Sequence, residues 1–149
     1  MAGMCRHTGR LIGAWEHTVQ SMEVIFTTRF HERVMRRWFS SLLPHILGES
    51  IVPSTLVRIF AGLVQSLTVK EFNAFLQKYD AREPRFVVTK ITPFNNSPET
   101  LRQGTFRLRI EGIFRPRAHL GDLTPAGRKH FYLVSNSRRI ERLSLSEPA

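Results

Sequence analysis

Thr105-Phe106-Arg107-Leu108-Arg109-Ile110-Glu111-Gly112-Ile113-Phe114 is the stretch that decides the fold. Phe106, Leu108 and Ile110 alternate with Arg107, Arg109 and Glu111, and side chains on a strand point alternately to opposite faces. The segment therefore predicts a strand with one apolar and one charged face. Gly112 interrupts the alternation and predicts a bulge or a close backbone approach. The same period of two extends outward in both directions. Phe86-Val87-Val88-Thr89-Lys90-Ile91 is rich in strand formers, His130–Val134 predicts a third strand and Arg139–Leu145 a fourth. The intervening segments, Pro93–Gly104 with Asn95-Asn96-Ser97-Pro98 and Pro116–Lys129 with Gly121-Asp122 and Pro125-Ala126-Gly127, carry turn chemistry.

Before Pro84 the period is that of a helix. Leu11, Trp15, Val19, Met22, Phe26, Phe30, Val34, Trp38 and Leu42 recur in steps of three and four, which predicts one long helical stripe. Thr27-Thr28 is the weak point at which it would break, and Pro44 ends it at or just before Leu43. Intact, the helix would overhang the domain and offer Trp15 and Phe26, with Arg36 and Arg37 nearby, to a protein partner. Broken, both halves would pack at home. A second helix enters at Pro53 and carries Leu56, Val57, Ile59, Phe60, Leu63, Val64 and Leu67 with Arg58 as its one charge, so it is expected to be the most buried. Thr68-Val69-Lys70-Glu71 reads as a capping box opening a third helix, with Phe72, Phe75, Leu76 and Tyr79 as its stripe.

Helices first and strands afterwards predict an α+β fold, with N-terminal helices packed on a curved four-stranded antiparallel sheet. The expected organisation is a basic tail over 1–14, a single domain over 15–146 and a short tail over 147–149. A length of 149 residues fits one domain that can bury a core without cross-links. The single cysteine, Cys5, excludes an internal disulfide framework and a multi-cysteine zinc site.

Charge is concentrated late. The net charge is +10, with Arg outnumbering Lys 18 to 4, and the segment 101–149 alone carries +6. Arg107, Arg109, Arg115, Arg117, Arg128, Lys129, Arg138, Arg139 and Arg142 are the candidate anion-binding residues. Guanidinium groups match phosphate and carboxylate oxygens, and a field of this sign attracts RNA, acidic proteins or anionic lipid headgroups. An ordinary solvated sheet face is the alternative.

No motif names a reaction. Asp122 and His130 flank a Gly/Pro loop with Tyr132 close behind, but no nucleophile or third partner accompanies them, so no catalytic residue is assigned. His7, His17, His31, His45 and His119 lack metal-ligand spacing, and the glycines form no phosphate-binding loop. No metal, cofactor or small-molecule substrate is expected. No charge-free run approaches the roughly 20 residues of a spanning helix, and no apolar signal core follows the N-terminus. The first fifteen residues, basic and free of acid, are compatible with an organellar transit peptide.

The order of elements, with Thr68–Tyr79 running into Phe86–Ile91, Thr105–Phe114, His130–Val134 and Ile140–Leu145, resembles the cone-shaped fold of the nuclear-transport-factor-two superfamily. The nearest branch is that of the matrix-side mitochondrial import subunit and its mitoribosomal relative. This chain departs from the pattern in its basic loop at 115–129 and in lacking an acidic pocket. The resemblance implies a mitochondrial-matrix setting and a non-enzymatic accessory subunit of an organellar ribosome or ribonucleoprotein. A subunit or adaptor of a secretion, import or membrane-associated machine, and a small-molecule-binding cone domain, stay open as alternatives.

Overall fold

A computed structural model describes residues 3–29, 32–35, 41, 43–46, 51–73, 76–94, 96–103, 105–135 and 143–146. The elements run β1 (Gly3–Met4), β2 (Leu11–Ile12), α1 (Ala14–Thr27), α2 (Leu43–Ile46), α3 (Pro53–Thr68), β3 (Lys70–Asn73), β4 (Lys78–Ala81), β5 (Phe86–Pro93), α4 (Pro98–Arg102), β6 (Phe106–Phe114), a 3-10 turn (Ala118–Leu120), β7 (Gly127–Ser135) and β8 (Leu143–Ser146). The fold is α+β, but its strands form three sheets and not a single one. Two are the hairpins β1-β2 and β3-β4, and the third is an antiparallel meander in the order β5-β6-β7-β8.

The strand quoted at the outset organises the core. Phe106, Leu108, Ile110, Gly112 and Phe114 of β6 are all buried, and Phe131 and Leu133 of β7 join them on the same face. This face packs on α1. The Trp15 ring lies 5.2 Å from that of Phe114, 5.6 Å from Phe86 and 6.4 Å from Phe131, in the tilted or edge-on arrangements that aromatic rings prefer. Met22, Ile25 and Phe26 continue the buried stripe of α1, and Ile59, Leu63 and Leu67 of α3 complete it. A Cβ on Gly112 would collide with the Val87 carbonyl and the Phe86 ring, so the close approach is real. The bulge itself falls on β5, between Val88 and Lys90.

Three expectations need correction and one pair of alternatives is decided. First, α1 stops at Thr27, so the helix breaks at its weak point. The hydroxyls of Thr27 and Thr28 donate to the carbonyls of Glu23 and Val24, the Thr28 N–H also reaches Val24, and Thr28 turns extended with ψ 126°, where the chain leaves the axis. Among the described residues α1 does not overhang to present a docking stripe. Trp15 and Phe26 are buried in the core, while Val34, expected on the stripe, is exposed. Arg36, Arg37, Phe30 and Trp38 lie outside the described residues.

Second, the segment expected as a third helix is the hairpin β3-β4, in which Phe72 pairs with Tyr79 and Glu71 with Asp80. Thr68 ends α3 instead of capping a new helix, and its hydroxyl donates back to the Val64 carbonyl. Part of the element order that carried the cone-fold resemblance is therefore a hairpin.

Third, the N-terminal tail is the ordered hairpin β1-β2. Its turn closes through Cys5 N–H to the Arg10 carbonyl and Gly9 N–H to the Cys5 carbonyl. Gln20 of α1 straps it down, accepting from Arg6 N–H and donating to the Met4 carbonyl. Fourth, α1 and not α3 is the more deeply buried helix. α3 buries Thr55, Ile59, Gly62, Leu63, Ser66 and Leu67 along one side and leaves Val57 and Val64 outside. Pro44 occupies the second position of the short α2, where its missing N–H costs no hydrogen bond.

Candidate functional site

The outer face of the meander is built by the same alternation that fills the core. With Phe106, Leu108 and Ile110 inside, Arg107, Arg109, Glu111 and Ile113 fall outside. The register sets Arg107 opposite Val134, Arg109 opposite Tyr132 and Thr92, Glu111 opposite His130 and Lys90, and Ile113 opposite Arg128 and Val87. Arg107, Arg128 and Lys90 are exposed there, and among the described residues no carboxylate pairs with Arg107 or Arg128. Arg109 Nε lies 2.9 Å from Glu111 Oε1, both side chains more than a third exposed, in an ion pair whose geometry falls short of a hydrogen bond. Phe94, 44% exposed, stands 5.1 Å ring to ring from Tyr132, and His130 meets the same ring at 5.9 Å. The face is thus a row of cations with an aromatic patch at its edge.

The remaining candidates scatter. Lys129 projects to the opposite side, its Nζ 6.0 Å from the centre of the Trp15 ring. Arg117 is exposed in the turn before the 3-10 segment. Arg115 bends under the meander's end, its N–H on the Arg85 carbonyl. Arg138, Arg139 and Arg142 lie outside the described residues. The expected single arginine surface reduces, among the described residues, to Arg107, Arg109 and Arg128 with Lys90.

The acid–base pairing of Asp122 with His130 is not built. Asp122 Oδ1 accepts from the amide and hydroxyl of Thr124 in an exposed turn, and those bonds hold its carboxyl below the usual range. His130 belongs to the sheet face. Cys5, in the β1-β2 turn, has a thiol drawn below its ordinary pKa, chiefly by the Thr8 hydroxyl and then by the amides of His7 and Thr8. Among the described residues no set of His, Cys, Asp and Glu could hold a metal ion, and no helix is long and apolar enough to cross a membrane.

A second cluster was not visible in the sequence. Glu83, buried, receives Arg85 through both oxygens, at 2.7 Å from Nε and 3.0 Å from Nη2. Arg85 Nη1 lies 3.0 Å from His17 Nδ1 of α1, which accepts because a guanidinium only donates. His119 stands near enough to be affected: burial lowers its pKa first, and the Arg85 charge adds to the shift. The local signal was Glu83-Pro84-Arg85, an acid and a base brought together across a proline turn, which reads from sequence as no more than a terminator.

No family model and no curated protein matches the chain. Among solved structures, a protein of Geobacter sulfurreducens provisionally named a tail lysozyme superimposes with a TM-score of 0.56, over 85% of this chain and 94% of its own, at 24% identity. At that identity the likeness is one of fold.

Proposed function

We propose that this chain is a non-enzymatic structural subunit of a large assembly, in which the outer face of the meander holds an acidic surface of a neighbouring protein. The observation that carries the reading is the placement of Arg107 and Arg128 on one exposed face without a carboxylate partner among the described residues. The neighbour's name ties that protein to a tail, which favours an assembly component over a free-standing binding protein.

The word lysozyme in the same name raises a hydrolase reading, and several acids among the described residues are engaged elsewhere. Glycoside hydrolysis needs two carboxyl groups flanking one bond, one of them an acid with a raised pKa. Here Glu83 is taken by Arg85, Glu71 by Arg82, Glu111 by Arg109, Glu16 by the Gly13 amide and Glu32 by the Arg29 amide. The shift on Asp122 runs downward.

A second reading, a ribonucleoprotein subunit contacting RNA phosphates, is favoured by one observation: the exposed Phe94 beside Tyr132 and the cation row gives bases a surface on which to stack. A salt titration tests both. The purified protein is expected to bind poly-glutamate, with an affinity that falls as salt rises and falls again in Arg107→Ala/Arg128→Ala. Binding of poly-uridine but not poly-glutamate transfers the case to RNA. Failure to bind either polyanion at low salt overturns both.

A further inference from the structure

The aromatic patch of the sheet face is held in place by main-chain bonds. Phe94 follows β5 and continues its ladder, its N–H donating to the Arg107 carbonyl at 3.0 Å. Asn96 clips both backbone groups of the same arginine. Its amide donates to the Arg107 carbonyl at 3.1 Å, and its side-chain oxygen accepts the Arg107 N–H at 2.9 Å. Phe94 therefore stands beside Arg107 on one flank of β6, while Tyr132 stands opposite Arg109 on the other. Their rings, 5.1 Å apart and tilted by 50°, meet across β6 at the gap between the two arginines. From this ridge the cations continue along the strand to Arg128, opposite Ile113. At about 3.4 Å per residue, Arg107 and Ile113 are about 20 Å apart. An exposed ring fixed between two cations has the makings of an interface anchor, because aromatic and Arg side chains dominate the binding energy where proteins meet. An anchor already in position also costs little ordering on binding.

We propose that the acidic surface held by this face carries an aromatic residue between carboxylates, its ring packing on Phe94 and Tyr132 while a neighbouring Asp or Glu meets Arg107 and further acids run toward Arg128. The inference rests on the reading of the chain as an assembly subunit with an acidic neighbour, and adds the residue that sets that neighbour's register. Charge decides the flanks: neither Arg107 nor Arg128 has a carboxylate partner among the described residues. The rings decide the centre. A nucleic acid fits less well, because single strands stack successive bases on successive rings. Among the described residues this face offers one ring pair with a histidine at its edge. A second copy of this chain is a poor occupant, because a net charge of +10 opposes self-association.

Two fluorescently labelled Glu-rich peptides test this against the full chain, one with a single internal Trp and one with Ala in its place. Both are expected to bind at low salt, the Trp peptide about threefold to tenfold more tightly, as an added aromatic pair provides. Phe94→Ala is expected to remove that preference and leave the affinity for the Ala peptide nearly unchanged. Arg107→Ala is expected to weaken both peptides. Combining the Trp→Ala change in the peptide with Phe94→Ala in the protein is expected to cost no more than either alone, which isolates the contact between the rings. Equal binding of the two peptides, or a Trp preference that survives Phe94→Ala, overturns the inference while the acidic-surface reading stands. Binding of neither peptide at low salt overturns that reading and the inference with it. Tighter binding of oligo-uridine than of the Trp peptide, weakened in turn by Phe94→Ala, assigns the rings to bases and overturns the inference as well.

Discussion

Two charged regions of this molecule use the same side chains to opposite ends. In the knot of Glu83, Arg85 and His17, guanidinium nitrogens are met by a carboxylate and a ring nitrogen, and the acid is almost fully buried. On the outer sheet face, Arg107 and Arg128 stand in solvent with no such partner among the described residues, and Arg109 shares only a half-exposed ion pair. The knot is a structural fastening between α1 and the turn entering the meander. The face is a reservoir of uncommitted charge. Counting arginines cannot tell them apart; exposure and pairing can.

The largest expected effect tests the knot. Glu83→Ala leaves Arg85 without its buried partner and is expected to destabilise the fold by about 3–5 kcal/mol, read from urea unfolding. A loss below about 1 kcal/mol, the scale of an exposed pair, would erase the distinction between the two regions.

A smaller effect depends on pH. The imidazole of His119 is held below its ordinary value of 6.5 by burial and by Arg85. The unfolded chain then binds more protons than the folded one as pH falls through that value. Stability is therefore expected to rise with pH across this window and to decline below it. His119→Gln is expected to flatten that part of the profile. An unchanged profile would separate His119 from the knot.

The smallest effect belongs to the face. A double-mutant cycle on Arg109→Ala and Glu111→Ala is expected to return a coupling of about 0–1 kcal/mol, lower at high salt, because both groups are hydrated. A coupling of several kcal/mol would mean that the face, too, is structural.

Much of the sheet was legible because alternation is a local property. Phe106–Phe114, Phe86–Ile91 and His130–Val134 could be read as strands from their own residues. The entry of α3 could be read from Pro53. What failed was local grammar that allows two readings. Thr68-Val69-Lys70-Glu71 has the residues of a capping box, yet a hydroxyl that can cap a helix can equally return to the preceding turn, and it returns to Val64. Leu11 to Leu42 keeps helical spacing, yet α1 ends at Thr27, where Thr28 turns extended. The candidate site was legible only in part: Arg107, Arg109 and Arg128 share a face by parity, whereas Lys129, one residue on, faces Trp15.

The sequence by itself determined the α+β class, the inward and outward sides of the central strands, and the basic excess of the late segment. Each follows from composition or from side-chain period, which neighbours along the chain impose. Tertiary structure alone decided that Arg85 and His17 gather on the buried Glu83, that Trp15 and Phe26 are core, and that Arg115 borders an apolar groove. Those outcomes depend on which distant surfaces exclude water from a given charge, and no local pattern encodes that.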